Sequence, residues 1–281
     1  MLRPRLRPGW TPSWHTTGES ILWAEDAAAT PLRPHLIDAT RMRDGKLVYI
    51  KRISTGDLES AIALDLSTPD LRRDPRNHCV PILDTFQDPE DEAVSYMVMP
   101  FLRLMYQPPF EYVGEIFDFG EQILEGLVFL HEHGIAHRDC AQKNLMMDAD
   151  AMYPLGFHPL RGMYLADGKT LGYRNSRLTS GVKYYYVDFG ISSRVPPNAE
   201  SRLVVGTFGR DQDVPELSDT VPYDPFKVDI YIIGNMFKQE IYDVAVALLR
   251  QFDSPYLRRV SPIEIPECRI STTFYQSHDT T

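Results

Sequence analysis

The stretch "AHRDCAQKNL", residues 136–145, brings Arg138, Asp139, Lys143 and Asn144 close together within an otherwise apolar segment. Charged side chains are costly to bury unless a partner neutralises them or bonds to them. The stretch is therefore either a solvated turn between two core segments or a loop that holds reacting groups. The residues around it decide between the two interpretations.

The polar side chains of this stretch have the chemistry that phosphoryl transfer uses. Asp139 is a carboxylate that can accept the proton of a hydroxyl group, and Asn144 offers an amide oxygen to a metal ion. Further along the chain, Asp188 lies in "VDFG", on a turn that leaves a short apolar strand. A carboxylate base, with an Asp and an Asn around divalent ions, is the set required for in-line phosphoryl transfer.

The segment "HRDCAQKN" (137–144), followed by "DFG" (188–190), resembles the catalytic loop and the magnesium loop of eukaryotic protein kinases. The resemblance implies that Asp139 is the catalytic base and that Asn144 and Asp188 are the ligands of Mg²⁺. It also implies ATP as the phosphoryl donor and the hydroxyl group of a protein substrate as the acceptor, with Ser/Thr and Tyr both open.

The resemblance extends toward the N-terminus. Lys51 in "VYIK" matches the lysine that contacts the α- and β-phosphates, and Glu59 matches its partner carboxylate on a helix. In "MVMPFL", Met99 would lie at the back of the adenine pocket, and the backbone near Phe101 and Leu102 would bond to the adenine edge. Taken singly, a surface lysine, a solvated glutamate and a core methionine are ordinary; their order within one pattern favours the functional interpretation.

The resemblance continues downstream with "VPEL" (214–217), similar to the end of a kinase activation segment, and with Asp229, similar to the buried Asp that anchors the catalytic loop. Arg138 implies a pocket for a phosphate on the activation segment. The candidate phosphate acceptors are Ser192, Ser193, Ser201 and Thr207. The stretches "GWTPSW" and "DPFKVDIYIIGNMF" also resemble a protein-kinase-like group common in mushroom-forming fungi.

The implied fold class is α+β, in the two-lobed arrangement of protein kinases, with a small β-rich N-lobe and a mainly helical, truncated C-lobe. The expected boundaries are an N-terminal extension over 1–35, the N-lobe over 36–101 and the C-lobe over 102–281. We expect the extension to drape over the first domain or to be partly disordered. A long interval before the DFG strand predicts a surface insertion over 150–182, packed at "YPLGFHP" and mobile elsewhere.

Local patterns agree with this division. "RMRDGKLVYIKRI" predicts a strand, a turn at Asp44-Gly45 and a second strand. "GDLESAIALDLS" has apolar residues at helical spacing, and "EAVSYMVMPFL" predicts a strand ending at Pro100. In the next long segment an apolar helical stripe precedes Gly134, where the helix should stop; the stripe consists of Ile116, Ile123, Leu127 and Leu130. The helix that begins in "PFKVDIYIIG" is apolar nearly all round, which predicts burial.

Three departures from the family pattern weaken the prediction of activity. No glycine occurs between Gly18 and Gly45, where the phosphate-covering loop should lie, and Pro31, Pro34 and His35 occupy this region instead. The position two residues after Asp139 is an alanine, and a basic residue follows at Lys143, a spacing that resembles tyrosine kinases. The resemblance implies that Lys143 stabilises charge, and a merely solvated lysine stays open as the alternative.

The third departure concerns the C-terminal end. The family's large lobe usually continues through further helices, one of which carries an Arg that pairs with the glutamate matched by Glu216. Arg258 and Arg259 are weak candidates for that partner. We therefore expect a shortened C-lobe.

Composition sets further bounds. The net charge of −10 disfavours a nucleic-acid-binding role, and no apolar run is long enough to predict a membrane span. Three widely spaced cysteines predict reduced thiols in an intracellular protein, cytoplasmic or nuclear. Besides an active protein kinase, two alternatives stay open: a pseudokinase that acts as a binding or scaffold module, favoured by the missing glycines, and a small-molecule phosphotransferase.

Overall fold

The computed structural model describes residues 1–27, 35–196 and 198–242 of the chain. Residues Met1–Met236 form one compact unit, and a second unit begins at Phe237. The described part of the second unit contains a π-helical turn over Lys238–Tyr242. The fold class is α+β, as predicted, with small antiparallel sheets and helices in the first unit.

The strands are β1 (Leu36–Thr40), β2 (Leu47–Ser54), β3 (Asp84–Gln87), β4 (Val94–Pro100), β5 (Arg103–Leu104), β6 (Ile135–Ala136), β7 (Leu145–Asp148), β8 (Lys183–Tyr186), β9 (Ser193–Arg194), β10 (Val204–Gly206) and β11 (Ser218–Tyr223). The α-helices are α1 (Trp14–Thr17), α2 (Leu58–Leu66), α3 (Val113–Glu132), α4 (Arg177–Ser180) and α5 (Pro225–Phe237). The strands form one four-stranded sheet in the order β1-β2-β4-β3, a three-stranded sheet β5-β7-β8, and the pairs β6-β9 and β10-β11.

The first hairpin of the four-stranded sheet is formed by β1 and β2. Its turn lies at Asp44-Gly45, as predicted, and Gly45 has a φ of 72°, which a glycine adopts without strain. The predicted first strand was wrong in position: β1 ends at Thr40, and the segment from Arg41 belongs to the turn, where the Arg41 guanidinium binds the carboxylate of Asp44. The first strand therefore ends before Arg41, and the residues expected to form it lie in the turn instead.

Helix α2 begins where Asp57 caps it, since the Asp57 carboxylate accepts a hydrogen bond from the backbone N–H of Ser60 at 2.7 Å. Ile62 and Leu66 of its predicted apolar stripe are buried, whereas Leu58 is exposed. The buried face holds the helix against the rest of the unit, so that Glu59 in its first turn keeps a fixed position.

Helix α3 follows the predicted stripe. Ile123, Leu127 and Leu130 are buried and Ile116 is half-buried, and the chain leaves the helix at Gly134 with a φ of 69°. Its close packing depends on Gly126, because a Cβ atom there would lie 2.7 Å from a side-chain atom of His78. The helix thus contacts the chain that precedes the four-stranded sheet's β3.

Helix α5 was predicted to be buried, and within the described residues the structure buries one of its faces and exposes the other. One face is buried and consists of Val228, Asp229, Ile232, Ile233 and Met236. On the opposite face Ile230 is 56% exposed. The buried face carries Asp229 into the interior of the unit.

The N-terminal extension packs on the sheet. Arg3 and Asp38 of β1 form a buried bidentate ion pair, with distances of 2.6 and 3.0 Å, and Leu2 pairs with Ala39 as an isolated bridge. The extension therefore adds a short strand-like segment beside β1. Its residues 28–34 lie outside the described residues.

The segment 150–182 is packed more extensively than predicted. Tyr153, Phe157 and His158 of "YPLGFHP" are buried, as expected. The expectation that the rest is mobile is wrong at Arg177, which is 1% exposed and donates to the carbonyl oxygen of Met105 and the hydroxyl of Tyr184. The segment also contacts the extension, since the Arg161 guanidinium donates to the carbonyl oxygens of Leu22 and Ala24.

Two sequence-based expectations concern the whole unit. Cys79 and Cys140 are buried free thiols, and Cys268 lies outside the described residues. None of the helices within residues 1–27, 35–196 and 198–242 is long and apolar enough to cross a bilayer.

Candidate functional site

Asp229 on helix α5 anchors the loop 137–144. The carboxylate of Asp229 is fully buried and accepts the backbone N–H groups of His137 at 2.8 Å and Arg138 at 2.6 Å. It also bonds to the Nε2 atom of His131 at 2.9 Å. A buried carboxylate requires such partners, and the predicted anchoring contact between Asp229 and the loop is present. The anchored backbone includes Arg138 in a left-handed conformation, with a φ of 65°.

Asp139 and Asn144 face each other across the loop. The amide nitrogen Nδ2 of Asn144 donates to both the Oδ2 atom and the backbone oxygen of Asp139, each at 2.8 Å. The backbone N–H of Asp139 donates to the Nδ1 atom of His137 at 3.2 Å. His137 in turn contacts the carbonyl oxygen of Val187 through Nε2 at 3.1 Å, which fixes its ring. The Asp139 side chain is therefore held in one orientation, 14% exposed.

Lys51, Glu59 and Asp188 form a second cluster. Lys51 on β2 donates to the carboxylate of Glu59 on α2 and to the Oδ1 atom of Asp188, the latter at 2.8 Å. Asp188 follows β8 and has a φ of 68°, which turns its side chain out of the strand path. The three residues come from separate parts of the chain. The pair of Lys51 with Glu59 is the one that the sequence predicted, and the contact of Lys51 with Asp188 is additional.

The charges in this cluster shift one another's titration. Burial lowers the pKa of Lys51, but the carboxylates of Glu59 and Asp188 outweigh burial and hold that pKa above its ordinary value. Burial raises the pKa of Glu59, which the Lys51 charge offsets in part. Burial also raises the pKa of Asp188, but the Lys51 charge outweighs burial and holds the pKa of Asp188 below its ordinary value. Asp188 is therefore the carboxylate that stays ionised most readily.

A cavity of about 290 Å³ adjoins both clusters. Seven of the predicted site residues line it, namely Lys51, Glu59, Met99, Leu102, Lys143, Asn144 and Asp188. Its apolar walls come from Val80, Ile82, Met97 and Val187. Asp139 is next to this cavity through its bond to Asn144. A mostly apolar cleft with a few convergent polar groups is the usual form of a small-molecule site.

Phe101 is the predicted site residue that faces elsewhere. Its ring stacks on Tyr49 with a centroid distance of 4.4 Å, and its backbone N–H donates to the carbonyl oxygen of Leu47 at 3.3 Å. The Phe101 amide is therefore used by the sheet, and the adenine contact expected from the backbone near Phe101 and Leu102 stays a prediction. Leu102, the other residue named for the adenine contact, does line the cavity.

The part of the wall where a glycine-rich loop would lie is formed by His35 and Leu36. The carbonyl oxygen of His35 accepts the backbone N–H of Arg52 at 2.7 Å, so that this residue extends the β1–β2 pairing. Pro31 and Pro34 lie outside the described residues. The described lining of the cavity thus contains no glycine.

Arg210 is a site residue that the sequence analysis missed. It lines the cavity, and its backbone N–H donates to the Oδ1 atom of Asp139 at 2.8 Å. The preceding glycines in "GTFGR" have left-handed φ values, 121° at Gly206 and 136° at Gly209. Two glycines three residues apart were the available signal, because they permit a backbone that other residues rarely adopt.

The pocket predicted around Arg138 is filled by hydroxyl and carbonyl groups. Its guanidinium donates to the Tyr223 hydroxyl at 2.8 Å and to Ser193 Oγ at 3.3 Å. Ser192, a predicted phosphate acceptor, is buried and donates to the carbonyl oxygen of His137, which argues against that role. The Thr207 hydroxyl donates to the Asp219 carboxylate.

Of the other residues predicted for this segment, Ser201 is exposed. Glu216 is exposed too, and its candidate partners Arg258 and Arg259 lie outside the described residues.

The donor atoms of Asn144 and Asp188 fit a magnesium ion that is also held by substrate phosphates. Among the residues that the structure describes, no group of three or more His, Cys, Asp or Glu side chains could hold a metal ion alone. Mg²⁺ commonly takes one or two carboxylates together with phosphate oxygens and water. Because the Nδ2 atom of Asn144 is turned to Asp139, the amide oxygen is the atom left for such an ion.

No protein-family model matches the chain. Over 114 residues, 41% of its length, the chain is 25% identical to sperm motility kinase 3A and to sperm motility kinase 3B, both of Mus musculus. Sperm motility kinase 2B of the same species is equally similar over the same length. The chain covers 16–17% of the length of these relatives. The comparison therefore shows a weak similarity to kinase-like proteins over less than half of the chain.

Proposed function

We propose that this chain is a protein kinase that transfers the γ-phosphoryl group of ATP to a hydroxyl group of a protein substrate. The observation that carries the proposal is the pairing of Asp139 with Asn144 beside a cavity that also holds Lys51, Glu59 and Asp188. A base, an amide oxygen, a carboxylate and a fixed cation are the groups that phosphoryl transfer uses. The weak similarity to kinase-like proteins supports the same function.

In the proposed fold, residues 36–101 are the N-lobe, made of the four-stranded sheet and α2. Residues 102–281 are the C-lobe, with 150–182 as an insertion. The unpaired thiols of Cys79 and Cys140 support an intracellular location.

In the proposed reaction, Asp139 orients the acceptor hydroxyl and takes its proton as the oxygen bonds to the γ-phosphorus. The bond from that phosphorus to the bridging oxygen breaks, and ADP leaves with the electron pair. Lys51, held by Glu59, would contact the α- and β-phosphates, and Lys143 would stabilise charge on the transferred group. Met99 and Leu102 would face the adenine. Asn144 and Asp188 would hold Mg²⁺, which supplies neutralisation of the phosphate charge.

The pseudokinase alternative is favoured by one observation. The wall of the cavity where glycine amides would cradle phosphates contains His35 and Leu36. A small-molecule phosphotransferase is less supported, because the side chains that bond to or pair with Asp139 belong to His137, Asn144 and Arg210, none of them acidic. An acidic acceptor pocket for a cationic small molecule is not formed by these contacts.

The test is transfer of labelled γ-phosphate from Mg-ATP to a mixed panel of Ser, Thr and Tyr peptides. Wild type should label the panel, and Asp139→Asn should lose on the order of 10²-fold or more of that rate, since it removes the base. Asp150→Asn is the matched control, because the Asp150 side chain is 44% exposed and pairs with Lys46 at the surface. Binding of Mg-ATP without any transfer by a folded wild type would refute the enzyme and leave the pseudokinase.

A further inference from the structure

Arg210 lies where the proposed reaction takes place. Its backbone N–H donates to the Oδ1 atom of Asp139 at 2.8 Å, and its Nε atom is 3.7 Å from the Oδ2 atom of the same carboxylate. The Arg210 side chain lines the cavity together with Lys143 and Asn144, and it is 48% exposed. A guanidinium is therefore next to the atom that would take the proton of the acceptor.

The loop around Arg210 is held close to the loop that carries Arg138 and Asp139. A Cβ atom on Gly209 would lie 3.2 Å from the carbonyl oxygen of Arg138, tighter than an ordinary contact. The side chain of Gln212 donates to the carbonyl oxygens of Thr207 and Gly209, at 3.2 and 2.7 Å.

On the other side, the Asp211 carboxylate accepts a hydrogen bond from the side chain of Asn235 on α5 at 2.8 Å. The chain on both sides of Arg210 is thus held, whereas its half-exposed guanidinium approaches Asp139 at 3.7 Å.

The cations of the cavity differ in how strongly they are already paired. Lys51 contacts two carboxylates, those of Glu59 and Asp188. Arg210 approaches Asp139 only at 3.7 Å through Nε, beyond a normal hydrogen bond. A phosphate oxygen beside Asp139 would therefore compete well for this guanidinium, whose planar donors match phosphate geometry.

The described lining of the cavity contains no glycine, whose backbone amides cradle phosphates in the family that the sequence resembles. A further donor beside Asp139 would compensate for such amides. We propose that Arg210 contacts the terminal phosphate of the nucleoside triphosphate and stabilises the charge of the transferred phosphoryl group. The inference rests on the proposed function, since it assumes that a nucleotide binds in this cavity. The segment that follows Gly206 and Gly209 would then contact the nucleotide.

The test compares wild type, Arg210→Ala and Arg210→Lys by calorimetric titration with Mg-ATP and, separately, with Mg-ADP. Loss of a charge-assisted hydrogen bond should raise the dissociation constant for Mg-ATP about tenfold in Arg210→Ala. The value for Mg-ADP should stay within about twofold, because ADP lacks the phosphate in question. Arg210→Lys should recover part of the affinity for Mg-ATP, and the rate of transfer should fall in the same order.

The matched control is Arg202→Ala. Arg202 lies on the same segment, is 60% exposed and pairs with Asp224 at 2.7 Å, outside the cavity lining. Circular dichroism should show that every variant folds as wild type does. The control should bind both nucleotides as wild type does.

Two results would overturn the inference while leaving the proposed function intact. In one, Arg210→Ala binds Mg-ATP as tightly as wild type does; in the other, it transfers phosphate faster, which would make Arg210 a block on Asp139. If folded wild type binds neither nucleotide, the proposed function fails and the inference fails with it. If wild type binds Mg-ATP but transfers nothing, the ATP-specific loss still decides whether Arg210 contacts the terminal phosphate, and its role in transfer falls with the proposed function.

Discussion

At the scale of single residues, the buried polar groups of the site are satisfied by one another. Asp229 is fully buried in a mostly apolar helix, yet its carboxylate bonds to two backbone N–H groups and to His131. His137 is also fully buried and uses both ring nitrogens, one toward Asp139 and one toward Val187. A buried network of this kind stays stable only while every member keeps its protonation state.

His137 should make the stability of the protein depend on pH. Burial lowers the pKa of His137 below its ordinary value of 6.5, because the charged ring would lose its solvation. Protonation of Nδ1 would also remove the acceptor of the backbone N–H of Asp139. The folded form therefore resists protonation while the unfolded form accepts it. The free energy of unfolding should fall as the pH drops below 6.5, by at most about 1.4 kcal/mol per pH unit from this group, and level off once the lowered pKa is passed.

Urea unfolding of wild type and of His137→Gln between pH 5 and 7.5 measures this slope. The free energy of unfolding of His137→Gln should depend less steeply on pH than that of wild type. Some dependence should remain, because burial lowers the pKa of His78 as well. Equal slopes in the two proteins would show that His137 is not the group that resists protonation.

At the scale of secondary-structure elements, close packing of α3 on its neighbours depends on a glycine. A Cβ on Gly126 would lie 2.7 Å from the Cβ of His78 and 2.9 Å from the ring of Tyr186. The Tyr186 ring is fully buried and its hydroxyl donates to the carbonyl oxygen of Ile123 at 2.7 Å, so it has no room to move. Strand β8, which leads to Asp188, is thereby held against the helix.

Gly126→Ala should destabilise the protein, although alanine is the better helix former. The expected loss is about 1–3 kcal/mol in the free energy of unfolding, because overpacking outweighs the gain in helix propensity. Gly234→Ala on α5 is the matched control, since a Cβ there meets no atom within 4 Å and should stabilise by up to about 1 kcal/mol. Chemical denaturation of both variants measures the difference. A stabilising Gly126→Ala would contradict the packing described.

At the scale of the first unit, the N-terminal extension is bonded both to the four-stranded sheet and to the segment 150–182. Arg3 reaches Asp38 on β1, while Glu19 pairs with Lys169 and Glu25 contacts His158. The Arg3–Asp38 pair is buried, whereas the Glu19–Lys169 pair is partly exposed. The buried pair should therefore account for most of the electrostatic attachment, because exposed pairs contribute little.

Arg3→Met should cost about 3–5 kcal/mol in the free energy of unfolding, because it leaves the Asp38 carboxylate, 2% exposed, without its cation. A second change, Asp38→Leu, in the same chain should recover much of the loss, since both buried charges are then gone. Arg43→Met is the control, with a side chain 73% exposed and an expected effect within about 0.5 kcal/mol. Urea unfolding measures all three, and an Arg3→Met variant as stable as wild type would show that the buried Arg3–Asp38 pair does not stabilise the fold.

The sequence alone determined the parts of this protein that depend on short-range pattern. The spacing of apolar residues located α2 and α3, the dipeptide Asp44-Gly45 located a turn, and Gly134 located the end of a helix. The order of Lys51, Glu59, Asp139, Asn144 and Asp188 identified a candidate site whose members the structure brings into two adjoining clusters. Each of these predictions rests on residue types with a strong local preference or on a family pattern.

Only the tertiary structure decided the contacts made across long stretches of chain. Arg210 meets Asp139 from 71 residues away, and Arg177 is buried against the carbonyl of Met105 from 72 residues away. An arginine is ordinarily a solvated residue, and no periodicity distinguishes one that is buried or one that lies beside the candidate site. Its environment is set by the path of the backbone, here by Gly209, and that path follows from packing of the whole unit rather than from neighbouring residues.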